Sequence, residues 1–350
     1  MKFENTQVWG FEHALRGMRN PKNSWHLSDS KDCYEEYQVE GACCFCDDPL
    51  YENKVNCSGV GKYGNYYAIG PKDMKLALAL INGGPEHRKF LRQIFVSVDI
   101  TAPLYWWKEF DTYKVATVAN STSTMHKIQS YPITRESFEM DDYKFGLKIP
   151  DRTTFPKNEV EYSIPNFDTF GFNHDVFIDN LINYLENLRL EYNALIEALK
   201  LPQGDPNYVN ELQERALWVW KELIRWLPEG WLQTRTVTLN YETIRAICSP
   251  GQRRFHKLNE WSGKNDPTLV NFIAWARTLP YALEFIFTDE YNAQKEAEKT
   301  PLQRALDALH KIGVNARNAD GSLRTVAEVM AEIVKSYQET VETALAEEEN

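Results

Sequence analysis

The side chains best placed to do chemistry form one short run, Asn120-Ser121-Thr122-Ser123-Thr124, followed closely by His126-Lys127. Five short polar side chains in a row can bind phosphate, or the edge of a base, through hydroxyls and backbone N–H groups with little net charge. The same run also suits a solvated turn or a helix N-cap. Lys114, Arg254 and Arg235 are anion partners in reach of the same chemistry. Arginine grips phosphate with a planar fork, lysine offers a point charge, and either type also sits on an ordinary surface. His87 and Tyr113 can stack on or hydrogen-bond to a planar ligand, although a His in Glu86-His-Arg-Lys89 equally fits a solvated face. Glu109 and Asp111 are a carboxylate pair, but helical phase points them apart, so they read as surface charges rather than an acid–base couple.

The remaining motif chemistry is thin. The chain has no G-x-G-x-x-G, P-loop, H-E-x-x-H or G-x-S-x-G pattern, so nothing supports a Rossmann dehydrogenase, an NTPase, a zincin or an α/β-hydrolase. Five of the six cysteines (Cys33, Cys43, Cys44, Cys46 and Cys57) fall in the first sixth of the chain. Their spacing gives no paired C-x2-C and their number suits disulfides poorly, which favours reduced structural thiols over a zinc or iron–sulfur site or redox chemistry.

Composition bounds the partners. The 350 residues carry a formal charge of −11, which opposes general nucleic-acid or anionic-membrane binding but not a small phosphate ligand. Ten Trp, eighteen Tyr and seventeen Phe are a heavy aromatic load, suited to a large core or a subunit interface. No basic start with an apolar stretch opens the chain, and no run reaches the ~20 residues of a membrane span, so the cytosol is expected.

The elements that must position these groups follow from pattern. A helical stretch covers GFEHALRGMR, and residues 33–70 read as an irregular Cys/Tyr/Gly-rich insertion. Pro71 opens a helix with Met74, Leu76, Ala77, Leu80 and Ile81 on helical spacing, stopped at Gly83-Gly84. A second helix is expected from Pro85 toward Gln93, then the strand IFVSVDI, then a helix LYWWKEFDTYKV opened by Ala102-Pro103, in which Trp106-Trp107 suit the core. Residues 130–170 read as loops, followed by two long helices, the second from Asn207 to Trp226. WLQTRTVTL is the second strand, with a helix from Asn240. From about residue 290 the style turns to Ala, Glu and Lys. The last helix places Val326, Val329, Met330, Ile333, Tyr337 and Val341 on one stripe that needs a cover.

Two segments, residues 87–128 and 227–261, resemble the flavin-dependent thymidylate synthases. In the first, His87, the strand, Ala102-Pro103 and the polar run fall in the family's order. In the second, eleven residues separate Pro228 from Asn240, and Arg254 precedes Trp261 by the family's seven-residue interval. The two segments cover about a fifth of the chain. The family's Arg-His-Arg falls on Thr112-Tyr113-Lys114 and its Asn-Glu-x-Ser loop on Ala119-Asn120-Ser121-Thr122, so a basic group and a hydroxyl are what survive. The resemblance implies an α+β fold: a central, antiparallel-rich sheet flanked by long helices, spanning residues 1–290, with a helical extension over 291–350. It implies FAD held by His87, Tyr113, Lys114 and Asn240. It implies a pyrimidine nucleotide such as dUMP held by Glu109, Asn120, Thr122 and Arg254, with Ser121, Thr122 and Ser123 at the reacting base. NADPH and methylenetetrahydrofolate would be co-substrates, the product a nucleotide methylated at C5 or given a related one-carbon group there, and the assembly a homotetramer. A non-catalytic nucleotide or flavin binder, and a structural or interaction protein on the same fold, are the alternatives.

Overall fold

The computed structural model describes residues 1–33, 66–113, 115–143, 154–157, 160–163, 174–202, 204–264, 266–311, 318 and 321–335. In chain order these form β1 (Lys2–Trp9), α1 (Phe11–Arg19), β2 (Lys31–Cys33), β3 (Tyr66–Ala68), α2 (Pro71–Asn82), β4 (Phe95–Pro103), α3 (Leu104–Phe110), β5 (Val118–Ser121) and α4 (Thr124–Lys127). There follow β6 (Thr154–Lys157), β7 (Val160–Ser163), α5 (His174–Lys200), α6 (Pro206–Arg225), β8 (Leu232–Asn240), α7 (Tyr241–Ile247), α8 (Pro250–Phe255), α9 (Asn259–Ser262), α10 (Phe272–Ala276) and α11 (Ala282–Phe285). The chain divides into two compact units, Met1–Phe287 and Thr288–Asn350.

The first unit mixes helices with an antiparallel sheet, ordered β1-β4-β8-β5. Strand alternation sets its two faces. Val96, Val98, Ile100 and Ala102 of β4, with Val237 and Leu239 of β8, are fully buried. The neighbouring positions Ser97, Asp99, Thr101, Thr234 and Thr238 lie on the opposite, half-exposed face. There Thr101 Oγ1 meets Thr234 Oγ1 at 2.7 Å, and Asp99 accepts from Thr236 and Asn5. Gly10, with φ 97°, turns the chain from β1 into α1, and a Cβ there would lie 2.2 Å from the Gln93 carbonyl oxygen.

Under the buried face, Trp106, Trp107 and Phe110 pack with Trp261 and Phe272, the Trp106 and Trp261 ring centres 4.6 Å apart. The Trp106-Trp107 pair is therefore core. A second cluster joins α5 to α6 through Leu185, Leu188, Val219 and Leu223.

Several local expectations change. β1 was not foreseen, because its residues are mostly polar and half the strand faces solvent. Residues 85–93 make a turn and a short 3-10 helix over Lys89–Gln93 rather than an α-helix, after Gly84 takes φ 103°. The helix after Pro103 stops at Phe110 instead of running to Val115: Thr112 Oγ1 donates to the Glu109 carbonyl at 2.7 Å, and Ala116 follows with φ 54°. Residues 130–170 hold the hairpin β6–β7 in addition to loops. Most of the 33–70 insertion, with Cys43, Cys44, Cys46 and Cys57, lies outside the described residues.

The second unit holds the helices Thr288–Glu298, Pro301–Lys311 and 326–335, and in it Leu306 and Leu309 of the second pack with Ile333 against Val329 of the third. Only part of the expected stripe is covered, since Val326 and Met330 are exposed. Tyr337 and Val341 lie outside the described residues.

Candidate functional site at the β5–β8 edge

β8 joins the two sequence segments singled out above. Its nine residues pair in unbroken register with β4, from Phe95 opposite Asn240 to Pro103 opposite Leu232. On its other side it pairs with β5, from Val118 opposite Thr238 to Ser121 opposite Arg235. Residues far apart in sequence thus become adjacent.

The polar run is divided between two structures. Asn120 and Ser121 lie on β5, the sheet edge, and Thr122 continues from it; all three are exposed. Their side chains make no hydrogen bond with a described residue, while their backbone is held firmly. Thr122 N–H donates to the Thr234 carbonyl at 2.9 Å, and buried Gln233 donates Nε2 to the Thr122 carbonyl at 3.0 Å. Ser123 instead caps α4, its Oγ accepting from His126 N–H at 3.1 Å. The segment then runs on through Lys127 into the wall of a cleft of about 600 Å³, lined also by Lys2, Thr101, Tyr131 and Trp231 and by the acids Glu136 and Asp141.

Between α3 and β5 the chain is pinned from behind. Arg235 sits on the buried side of β8, where its guanidinium lies 4.2 Å over the Trp107 ring and donates to Asp111 at 2.9 Å and to Gln233 at 3.0 Å. It is therefore not an ordinary surface arginine. Asn240, 2% exposed, caps α7 by accepting the Thr243 N–H at 2.9 Å; Thr243 Oγ1 then donates to the Val115 carbonyl at 2.8 Å. Through that chain of contacts Asn240 bears on the position of Val115.

Tyr113 is half-buried, edge-on to Trp261 at 5.8 Å. Burial, then the Glu109 carboxylate, push its phenol pKa up, so it stays a protonated donor through the neutral range. Glu109 faces a residue the sequence did not single out. His256 is 2% exposed and stacked on Trp261 at 4.8 Å, with Nε2 3.1 Å from the Ile247 carbonyl and Nδ1 3.6 Å from Glu109 Oε1. The carbonyl can only accept, so Nε2 donates to it. The 3.6 Å separation is too long for a hydrogen bond. No motif signalled His256; its one trace was proximity to Arg254 and Trp261.

Asn120 and Ser121 thus lie beside Thr236 and Arg235 of β8, Asn240 ends that strand four residues beyond Thr236, and Glu109 and Tyr113 lie against His256 and Trp261. His87 is not among the residues that contact them. It is exposed in the turn after α2 and lines a different cleft, while its neighbour Arg88 reaches α7 by donating to Glu242 at 2.9 Å. Arg254 lies on α8, with its side chain outside the described atoms, and Lys114 is outside the described residues altogether. Among the described residues, no cluster of His, Cys, Asp and Glu is suited to a metal ion, and no helix is long and apolar enough to cross a membrane.

No family model matches the sequence, and no curated protein matches it either. Solved structures do. A flavin-dependent thymidylate synthase ThyX from Helicobacter pylori, complexed with FAD and dUMP, is similar at 11% identity over 83% of this chain and 99% of its own, with a TM-score of 0.43. A second structure of Thymidylate Synthase X from Helicobacter pylori with FAD and dUMP shows 13% identity over 81% and 97%, with a TM-score of 0.40. A UMP/dUMP methylase PolB from Streptomyces cacaoi, bound with 5-Br dUMP, shows 12% identity over 63% and 82%, with a TM-score of 0.31.

Proposed function

We propose that this chain binds a pyrimidine nucleotide of the dUMP type along the β5 edge and, with FAD, modifies the base at C5 in the manner of the flavin-dependent thymidylate synthases. The observation that carries this reading is the unbroken β4–β8–β5 register. It makes one structural unit of the two segments on which the sequence resemblance rests. It also leaves the side chains of Asn120, Ser121 and Thr122 exposed and without a hydrogen bond to a described residue.

In this reading Asn120 and Thr122 meet the polar edge of the pyrimidine and Ser121 lies beside it. Ser123 keeps the loop in shape as the α4 cap. Glu109 completes the substrate side from the end of α3, and Arg254 holds the phosphate. The described groups fit a flavin ring, since Tyr113 offers a half-buried aromatic face and a protonated hydroxyl. Lys114 is a further flavin contact that the resemblance assigns; His87, which it also assigns, lines the separate cleft and has no part in this reading. A bound reduced flavin would supply the hydride that brings a one-carbon unit from methylenetetrahydrofolate to the methyl level at C5, with loss of the C5 proton and NADPH as the ultimate reductant. The protein's share is placement and electrostatics, and no side-chain nucleophile is required. The same reading makes the chain a homotetramer in the cytosol.

The main competing reading is a nucleotide or flavin binder without turnover. One observation favours it: Thr112 and Tyr113 are engaged with the protein itself, Thr112 ending α3 and Tyr113 packing on Trp261. Release of tritium from [5-3H]dUMP in the presence of FAD, NADPH and methylenetetrahydrofolate separates the two. Release supports the enzyme, whereas flavin and nucleotide binding without release leaves the binder.

A further inference from the structure

The cleft that His87 lines lies apart from the β5 edge, between α1, α2 and the 86–93 segment, and has a volume of about 920 Å³. Its floor is apolar, built by Met18 and Phe90, both buried, and by half-exposed Leu76 and Leu80. Its rim is cationic, with Lys22, Lys72 and Lys89 all exposed and none in an ion pair with a described residue. Glu86 is the one acid among the lining residues. A local cationic excess of this kind is notable in a chain whose 50 acidic residues outnumber its 39 Lys and Arg.

The walls are fixed before any ligand arrives. Arg19, 5% exposed, donates to fully buried Asp73 at 2.5 Å, and Asp73 also accepts from Ser28 at 2.6 Å and Ser30 at 2.5 Å. That network ties α1 to α2 and neutralises Arg19, so the charge the cleft presents comes from the lysines. Gln93 closes one side over Gly17, where a Cβ would lie 2.8 Å from Gln93 Oε1. A preformed cleft avoids the ordering cost of binding.

We infer that this cleft is a second ligand site, taking a soluble phosphate-bearing amphiphile whose hydrocarbon part lies on Leu76, Leu80 and Phe90 and whose phosphate meets Lys22, Lys72 and Lys89. Apolar floor and cationic rim each account for one half of such a ligand. Unpaired lysines suit a mobile point-charge contact to phosphate. The site is concave rather than a protruding apolar face, which favours a soluble molecule over a bilayer. The inference goes beyond the nucleotide reading and does not rest on it.

The test is calorimetric titration of the full chain with octyl phosphate below its micellar concentration, beside inorganic phosphate and octanol. One site is expected, with octyl phosphate bound at least about tenfold more tightly than either fragment. Replacing Lys22, Lys72 and Lys89 together by Ala, all exposed and remote from the fold's core, should weaken octyl phosphate about 10- to 30-fold, in line with a few-fold per exposed charge. It should leave dUMP binding unchanged. Equal binding by the triple variant, or no gain over inorganic phosphate, overturns the inference. Displacement of octyl phosphate by FAD would make the cleft the flavin's own and remove the second site. Lysine-dependent sedimentation with phosphatidic acid vesicles, without binding of soluble octyl phosphate, would overturn the soluble ligand.

Discussion

Arg235 on β8 reaches Asp111, just past the end of α3, with an N–O distance of 2.9 Å while lying over Trp107. That contact fastens Asp111 to the strand that also pairs with β5. Asp111 is half-exposed, so the ion pair itself should contribute only ~0.2–1 kcal/mol. Arg235→Ala also loses the ring contact and the bond to Gln233, and should cost ~1–3 kcal/mol. A double-mutant cycle with Asp111→Asn, read by urea unfolding, should return the smaller figure as the coupling. A coupling near zero would mean that the pair does not hold Asp111.

Gln233 is the other tie. Its amide donates to the Thr122 carbonyl and its oxygen accepts from Arg235, so Gln233→Leu removes both bonds at a buried position. Stability should fall by ~1–3 kcal/mol, and dUMP affinity should fall with it because the Asn120–Thr122 edge loosens. Asn120→Ala, at an exposed position, should weaken dUMP several-fold with little loss of stability. If dUMP affinity ignores both substitutions, the β5 edge is not the nucleotide site.

Asp73 sets an acid limit on the first unit. Burial raises its pKa, but hydrogen bonds from Ser28, Ser30 and Arg19 outweigh burial and hold it below its ordinary value of 3.8. A carboxylate with a depressed folded-state pKa stabilises the fold above its unfolded value, and that contribution is lost as pH falls through the folded value. Wild type should therefore lose stability below about pH 4, a loss blunted in Asp73→Asn. At pH 7 Asp73→Asn leaves buried Arg19 without its counter-charge and should cost ~3–5 kcal/mol. Identical acid limbs in the two proteins would show that Asp73 is not the titrating group.

Arg254→Ala should weaken dUMP more than deoxyuridine, by ~1.5–3 kcal/mol if the guanidinium grips the phosphate. Equal losses for nucleotide and nucleoside would remove Arg254 from that role.

The sheet's two central strands were legible in the sequence because β-branched and apolar residues alternate along them, and so were α2, α5 and α6. β1 was not, since an edge strand with one solvated face has a weak apolar signal. The end of α3 was missed because it depends on a Thr112 side-chain bond and a left-handed Ala116, neither visible as periodicity. At the candidate site, the polar run was legible by composition. Its division between a strand edge and a helix cap needed a partner strand from far along the chain. His256 was invisible for the same reason: its environment is made by Trp261, Ile247 and Glu109 only after folding.

The central claim is tested most directly by titrating the purified full chain with FAD, with and without saturating dUMP, while following the flavin absorbance and fluorescence. The account predicts a saturable flavin complex whose spectrum or affinity shifts on adding dUMP and shifts less in Asn120→Ala. A protein that binds neither FAD nor dUMP at near-millimolar concentration would contradict it, and leave the β4–β8–β5 edge a structural feature alone.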